Sequence, residues 1–350
     1  MTDTVFVLPE RLRRIVEELF VRASVEPDNA ALLADTIIEA NMRGVDSHGI
    51  AALGIYLRRI RTGATNPRPR PRIIKEGVAS VLIDGDNGLG AITARFAMEK
   101  AIARCQDTAV FLACCFNNTT FGAAFYYSKM AALEGKIGFA LCNAPPSMAP
   151  WGGKKALLGT NPISVALPRR VGVPIVLDMA TSAAAKSKIY LAKERGEPIP
   201  PGWALDKDGK PTTDPEEALK GLVMPLGGAK GYGLSLVVDL LCGGLSGGGC
   251  LDKVMSLHRS LDRGQNVSFA LGAIDPQWFG GLSEFIAIVD EVVDKIHSCP
   301  VADGFDQVYL PGEIEERIRK VREREGIPVP RAVIEEIASE ASYLGMEVDL

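Results

Sequence analysis

The sequence predicts an α/β protein of the α+β kind, in which helical segments at both ends bracket a mixed β sheet. Three observations carry this. Helical patterning occupies residues 8–43 and 50–63, and returns in residues 311–345. Between them, short apolar runs alternate with glycine- and proline-rich turns, as buried strands do. The one strand–glycine–helix–strand unit lacks the residues of a doubly wound dinucleotide fold.

The stretch "PDNAALLADTIIEANMRG" opens with Pro27 and Asp28, which suit a helix N-terminus, and stops at Gly44, which suits a position just past a helix end. A second helical stretch, "IAALGIYLRRIRTG", leads into "RTGATNPRPRPR" (61–72), whose prolines make it an extended linker rather than a phosphate-tracking patch. Then "VASVLIDGDNGLG" (78–90) reads as a strand and glycine turn, "AITARFAMEKAIARC" (91–105) as an amphipathic helix, and "AVFLACCF" (109–116) as a buried strand. The G-x-G-x-x-G/A fingerprint would need a small residue where Thr93 stands. It would also need an acid where the second strand ends in Asn117 and Asn118. The glycines are therefore expected to make a tight strand-to-helix connection.

Three further strands follow, in "KIGFALCNAPP", "NPISVALP" and "GVPIVLDMATS". Residues 193–215 are polar and turn-rich, an expected exposed excursion. The apolar run "GYGLSLVVDLLCGGLSGGGC" (231–250) carries Asp239 in its middle, an acid that a bilayer would penalise, so a buried helix is expected. "NVSFALGAID" is a strand and "SEFIAIVDEVVDKI" a helix, and the tail is a charged helix, a turn and a final amphipathic helix. The expected organisation is an N-terminal helical segment (1–77) carrying Ser47 and His48, a mixed-sheet core (78–300), and a C-terminal helical segment (301–350) packing against the first.

A net charge of −4 argues against a nucleic-acid partner, which would need a basic face. The N-terminus, "MTDTVFVLPERL", lacks the basic start, apolar run and cleavage site of a secretory signal. Seven scattered cysteines without CxxC pairs or a CxxC…HxxxH spacing point away from zinc and from a disulfide framework, so no metal is expected. Reduced thiols in a cytoplasmic protein that spans no membrane fit that pattern.

Six phrases occur in one order: "RGVDSHG" (43–49), "DGDNGLG" (84–90), "GTNPISVALP" (159–168), "VLDMATS" (176–182), "PLGGAKGYGLSL" (225–236) and "YLPGE" (309–313). On these the chain resembles the malate/L-lactate dehydrogenase family of non-Rossmann type. The relatives of that family include sulfolactate, ureidoglycolate and diketogulonate oxidoreductases and the cyclic-imine reductases. The resemblance runs from about residue 10 to about residue 345. It implies an NAD(P)H-dependent enzyme acting on a small molecule, usually a homodimer, whose mixed sheet binds cofactor without the glycine fingerprint.

Residue by residue, the resemblance implies that His48 donates a proton and Ser47 orients it. Chemistry agrees: an imidazole cycles near neutrality, and a neighbouring hydroxyl can fix its tautomer. The alternative from the residues alone is a Ser-His pair that only satisfies backbone groups at a helix end. The resemblance places Thr160 against substrate. It aligns Phe121, Gly122, Ala123, Ala124 and Phe125, then Asp178, Met179 and Ala180, and then Lys186 and Ser187 with stretches that contact cofactor. Asn161, Lys230 and the backbone near "GFDQVYL" (304–310) are weaker candidates of that kind; Asn161 and Thr160 could also form a turn bonding its own backbone. Where the similar imine reductases carry an acid completing a proton relay, this chain has Lys188, which leans toward oxo/hydroxy chemistry.

Two departures stand out. The family commonly reads S-H-G-x-x-R, its arginine gripping the substrate carboxylate, whereas Ala52 stands there in this chain. The usual N-S-x-H-F-G appears as "NNTTFG", with Thr120 in place of a histidine beside the nicotinamide. An ionic hydrogen bond of the lost kind contributes roughly 1.5–3 kcal/mol. Three explanations compete: a substrate diverged from simple 2-oxo acids, an anion anchor supplied by Arg43 or Arg58, or cofactor binding without turnover. His258 and His297 are expected to be exposed helix residues away from the site.

Overall fold

Proline sets the start of the first two helices, where its missing N–H has no helical partner to lose. The computed structural model describes residues 4–348, the side chains of Ser187 and Glu194 excepted. Strand β1 (Thr4–Val7) precedes α1 (Pro9–Arg22) and α2 (Pro27–Met42). Helix α1 buries the single stripe Leu12, Val16, Leu19 and Phe20. Two short 3₁₀ turns, Asp46–His48 and Ile50–Ala52, lead into α3 (Leu53–Arg61).

Strands β2 (Arg72–Glu76) and β3 (Ser80–Asp84) form an antiparallel hairpin, so the sheet begins ahead of residue 78. Then come α4 (Gly90–Thr108), β4 (Val110–Asn118), α5 (Phe125–Leu133), β5 (Ile137–Cys142), β6 (Ile163–Leu167) and β7 (Ile175–Met179). A small lobe follows: α6 (Lys186–Arg195), β8 (Ala204–Leu205), β9 (Pro211–Thr212), α7 (Pro215–Lys220) and β10 (Leu222–Val223). The chain ends with α8 (Ala229–Asp239), running into a π turn at Leu240–Gly244, β11 (Val267–Ile274), α9 (Leu282–His297), α10 (Glu313–Glu325), β12 (Ile327–Pro330) and α11 (Arg331–Tyr343).

The central sheet is mixed, in the order β2-β3-β4-β11-β5-β6-β7. Among the described residues β3 and β4 are its one parallel pair of neighbours, joined across α4. Alternation sorts its side chains into two layers. Phe111, Ala113 and Cys115 of β4 and Phe269 and Leu271 of β11 face the core built with α4 and α5. Cys114 and Ala270 face Val238 of α8 and Cys242 of the π turn. The glycines of "DGDNGLG" do make a close connection: a Cβ on Gly85 would stand 1.8 Å from Asn118 Oδ1, and one on Gly90 2.5 Å from the Thr119 carbonyl.

The two ends of the chain meet. β1 pairs antiparallel with β12, from Thr4↔Pro330 to Val7↔Ile327. Arg58 of α3 bonds Glu336 and Glu340 of α11 at 3.3 and 2.8 Å. The sequence suggests only a turn at residues 327–330. Two prolines hide this strand, and a two-stranded edge tolerates them.

Two other expectations are refined. Residues 193–215 are mostly exposed, as expected, but Ile199 and Ala204 tie them into the lobe, whose apolar centre also gathers Met148, Ile189, Ala218 and Val223. Helix α8 is not simply buried: Leu234, Val237, Leu240, Leu241 and Leu245 remain 40–57 % exposed along it and just beyond. Among the described residues no helix is long and apolar enough to cross a membrane.

Candidate active site

A cleft of about 260 Å³ opens at the sheet edge where β4, β5 and β7 end and β6 and β11 begin. In α/β folds this edge gathers ligand sites because strand ends deliver side chains without blocking them. One wall is the 3₁₀ turn bearing Ser47 and His48. The facing walls are Thr120 to Ala124 after β4, Thr160 before β6, and Asp178 to Ala180 at the end of β7.

Ser47 Oγ lies 3.0 Å from His48 Nδ1. That bond occupies Nδ1 and leaves Nε2 as the nitrogen free to exchange a proton. The ring is exposed toward the cleft. Protein crowds it closely enough that desolvation lowers its pKa below the usual 6.5. The turn itself is held by Asn41, buried in the last turn of α2: its Nδ2 donates to Asp46 Oδ1 at 2.6 Å, and its Oδ1 accepts from the Ile50 N–H at 2.6 Å. A Cβ on Gly49 would come within 2.3 Å of the Asn41 Oδ1, so a side chain there would expel the amide.

Thr120 is fixed from both sides. Its backbone N–H donates to Gln265 Oε1 at 3.0 Å, and its side chain hydrogen-bonds the buried Tyr56 hydroxyl, whose pKa burial pushes up to about 12. Phe121 stacks on Tyr127 and Phe269, with ring centroids 5.0 and 5.1 Å away. Asp178 Oδ2 accepts from the Phe125 N–H at 3.3 Å; desolvation raises this carboxyl to about 6 against that bond. Thr181 donates from both its N–H and its hydroxyl to the Thr160 carbonyl, at 2.9 and 3.0 Å, which leaves the Thr160 side chain toward the cleft.

The cleft thus brings together Ser47, His48, Thr120, Phe121, Gly122, Ala123, Ala124, Thr160, Asp178, Met179 and Ala180. Other candidates lie elsewhere. Asn161 is fully buried, its Oδ1 accepting from the Ala144 N–H and its Nδ2 donating to the Ser235 carbonyl, both at 2.9 Å, so its amide is spent on the fold. Phe125 is buried beneath the Arg43 guanidinium. Ala52 packs in the core rather than on the cleft wall. Lys186 and Lys188 stand exposed in the first turn of α6, and Lys230 in that of α8; the Ser187 side chain lies outside the described residues.

Neither arginine proposed as a substitute anion anchor reaches the cleft. Arg43 is buried and bonded to Glu316 at 3.2 Å, and Arg58 is held by α11. His258 is exposed in a turn rather than a helix, and His297 ends α9 against Glu313 at 3.1 Å. Sequence reasoning missed Asn143, Gln265 and Ala185 on the wall. Asn143 had a signal: it follows the apolar run of β5 directly, at the edge where ligands gather. Gln265 had none, since its partner is 145 residues away.

The family described as malate/L-lactate dehydrogenase matches residues 7–338. The L-sulfolactate dehydrogenase of Methanocaldococcus jannaschii is 37 % identical over 341 residues, covering 97 % of this chain and 98 % of its own. Its solved structure superposes with a TM-score of 0.93 at 36 % identity over 98 % of each chain. The ureidoglycolate dehydrogenase (NAD(+)) of Escherichia coli is 33 % identical over 334 residues, 95 % of each chain. The (2R)-3-sulfolactate dehydrogenase (NADP(+)) of Chromohalobacter salexigens is 35 % identical over 314 residues, 89 % of this chain and 91 % of its own. The six ordered phrases, the mixed sheet and the histidine cleft therefore have one explanation: this chain belongs to the malate/L-lactate dehydrogenase family.

Proposed function

We propose that this chain is an NAD(P)H-dependent oxidoreductase acting on a small C=O or C=N compound, with His48 as proton donor, Ser47 as its orienting partner and Thr160 against substrate. The observation that carries this is the Ser47–His48 pair, 3.0 Å apart, on a cleft wall opposite Gly122, Ala123 and Ala124. Small side chains there and at Ala180 and Ala185 leave room for a flat ring, and Thr120, Thr160 and Asp178 supply polar contacts. A cleft of about 260 Å³ would hold a nicotinamide end together with a small substrate. Lys186 at the start of α6, near enough to Arg259 to feel its charge, would be a residue to hold a cofactor phosphate.

When bound, reduced nicotinamide supplies a hydride to the substrate carbon. The chain supplies the proton: His48 Nε2 gives it to the oxygen or nitrogen, and Ser47 Oγ steadies the imidazole at Nδ1. Oxidation reverses both transfers, with neutral His48 taking the proton.

The substrate we favour carries less negative charge than malate or sulfolactate. The charged side chains on the described cleft wall are His48 and Asp178; Ala52 is buried, and Arg43 and Arg58 are committed to glutamates. We further propose a cytoplasmic homodimer. The exposed residues of α8 and its π turn support a second copy as their cover, and the free cysteines support a reducing compartment. A Val237→Asp, Leu241→Arg double variant that stays dimeric on light scattering would remove that surface from the interface.

His48→Ala decides the central reading. Against a screen of oxo acids, uncharged ketones and cyclic imines with NADH and NADPH, turnover should fall about a hundredfold or more. Unchanged turnover would eliminate His48 as the acid.

A further inference from the structure

The histidine turn is gripped from a second direction, at Asp46, by a residue 276 positions further along the chain. Arg322, in the last turn of α10, donates from Nη1 to Asp46 Oδ1 at 2.5 Å and from Nη2 to Asp46 Oδ2 at 2.9 Å. The same Nη1 reaches the Asn41 carbonyl at the end of α2. Asp46 is the first residue of the 3₁₀ turn that carries Ser47 and His48. A planar fork on both carboxylate oxygens fixes orientation as well as distance, which a single ammonium cannot do.

The rest of α10 prepares this contact. Glu316 bonds buried Arg43 at 3.2 Å and Arg319 approaches Glu39 at 3.7 Å. With Arg322 these residues recur every three positions along one side of the helix, laid against the end of α2. Asn41 and Arg322 share Asp46 Oδ1, so the two grips act on one atom.

We propose that Arg322 is a positioning residue for His48: through Asp46 it holds the 3₁₀ turn so that the imidazole keeps its bond to Ser47 and faces the cleft. This rests on the reading of His48 as proton donor. It assigns a role in the site to a C-terminal helix that contributes no side chain to the cleft wall.

The geometry also supplies a test by rescue. On its outer side Arg322 lines an open groove of about 440 Å³ with Phe6, Ile318, Val321 and Pro328, and Asp46 is itself half-exposed, so a small cation can reach its carboxylate once the arginine side chain is removed. The full chain is labelled with ¹⁵N-histidine, and the His48 resonances are assigned by their loss in His48→Ala. In Arg322→Ala the Nδ1 and Nε2 signals should shift or broaden as the bond to Ser47 is lost, while the circular dichroism and NADH affinity stay those of the parent. Millimolar guanidinium should restore the parent signals, and Arg322→Lys should not restore them fully. Asp46→Asn, which breaks the pair from the other side and keeps the side-chain shape, should reproduce the change even if Arg322→Ala folds poorly. On any substrate found in the screen, kcat should fall about tenfold to a hundredfold with KM for NADH unchanged, the scale of a reacting group displaced by about 1 Å.

Parent-like His48 signals in folded Arg322→Ala or Asp46→Asn would overturn this inference and leave the proton-donor reading intact. Unchanged turnover in His48→Ala would overturn that reading, whatever the spectra show.

Discussion

The two walls of the cleft are built by different physics. The histidine wall has one buried amide, Asn41, and is otherwise held by charge across the ends of the chain: Arg322 on Asp46, Arg43 on Glu316, Arg58 and Arg61 on Glu340. The sheet wall is held by buried neutral amides, Asn143 bonding the Ser268 N–H and the Gly249 carbonyl, and Asn161 bonding the Ala144 N–H and the Ser235 carbonyl. An ion pair half-exposed on both sides, such as Arg58–Glu336, is worth little because solvent competes for both partners, whereas a buried amide, like the buried Arg43–Glu316 pair, has no alternative partner once its bond is lost. The sheet wall should therefore behave as fixed scaffold and the histidine wall as an adjustable part.

The sharpest way to break that contrast is to remove one hold from each wall and compare. Asn161→Leu removes the bond to the part-buried Ala144 N–H and the second bond on the Ser235 carbonyl, which keeps its partner within α8. Denaturant unfolding should show a loss of roughly 1–3 kcal/mol. Glu336→Gln weakens the half-exposed 3.3 Å pair with Arg58 and should cost under about 1 kcal/mol. Equal losses would mean that the charged wall is as much scaffold as the amide wall.

The same division decides what the sequence could reveal. Elements whose physics is local were legible: the helices of residues 8–43, one opening at Pro27, the buried apolar run of β4, and the Ser47–His48 turn before Gly49. The candidate residues that carry a motif, His48, Thr160 and Asp178, also reach the cleft. What escaped depends on distant partners. Strand β12 exists because β1 lies beside it, and Gln265, Tyr56 and Arg322 matter through Thr120 and Asp46, far away in the chain. Motif reading also erred where a conserved-looking phrase mixes roles: in "GTNP" Thr160 faces the cleft and its neighbour Asn161 is spent beneath it. Ala52 shows the converse, a position read as a lost substrate contact that the structure uses as core.

The smaller effect lies in pH, because each wall carries a perturbed group open to the cleft, His48 on one and Asp178 on the other. Burial lowers the His48 pKa from 6.5, and burial raises that of Asp178 from 3.8 to about 6. The signs differ. The folded state resists protonation of His48, so its stability contribution is present above pH 6.5 and is lost as pH falls below that value. It resists ionisation of Asp178, so that contribution is present at acid pH and is lost as pH rises from 3.8 to about 6. Both side chains are open to the cleft, which keeps these stability terms small, and catalysis is the better readout. On the proposed role of His48 as donor, reduction draws on its protonated form, so kcat/KM should decline about tenfold per pH unit above a midpoint below 6.5, while oxidation rises through the same midpoint. Asp178→Asn removes the ionisation near 6 and should leave the His48 limb in place. A limb that disappears with Asp178 instead would move the titrating group to the sheet wall, and the division of labour between the two walls with it.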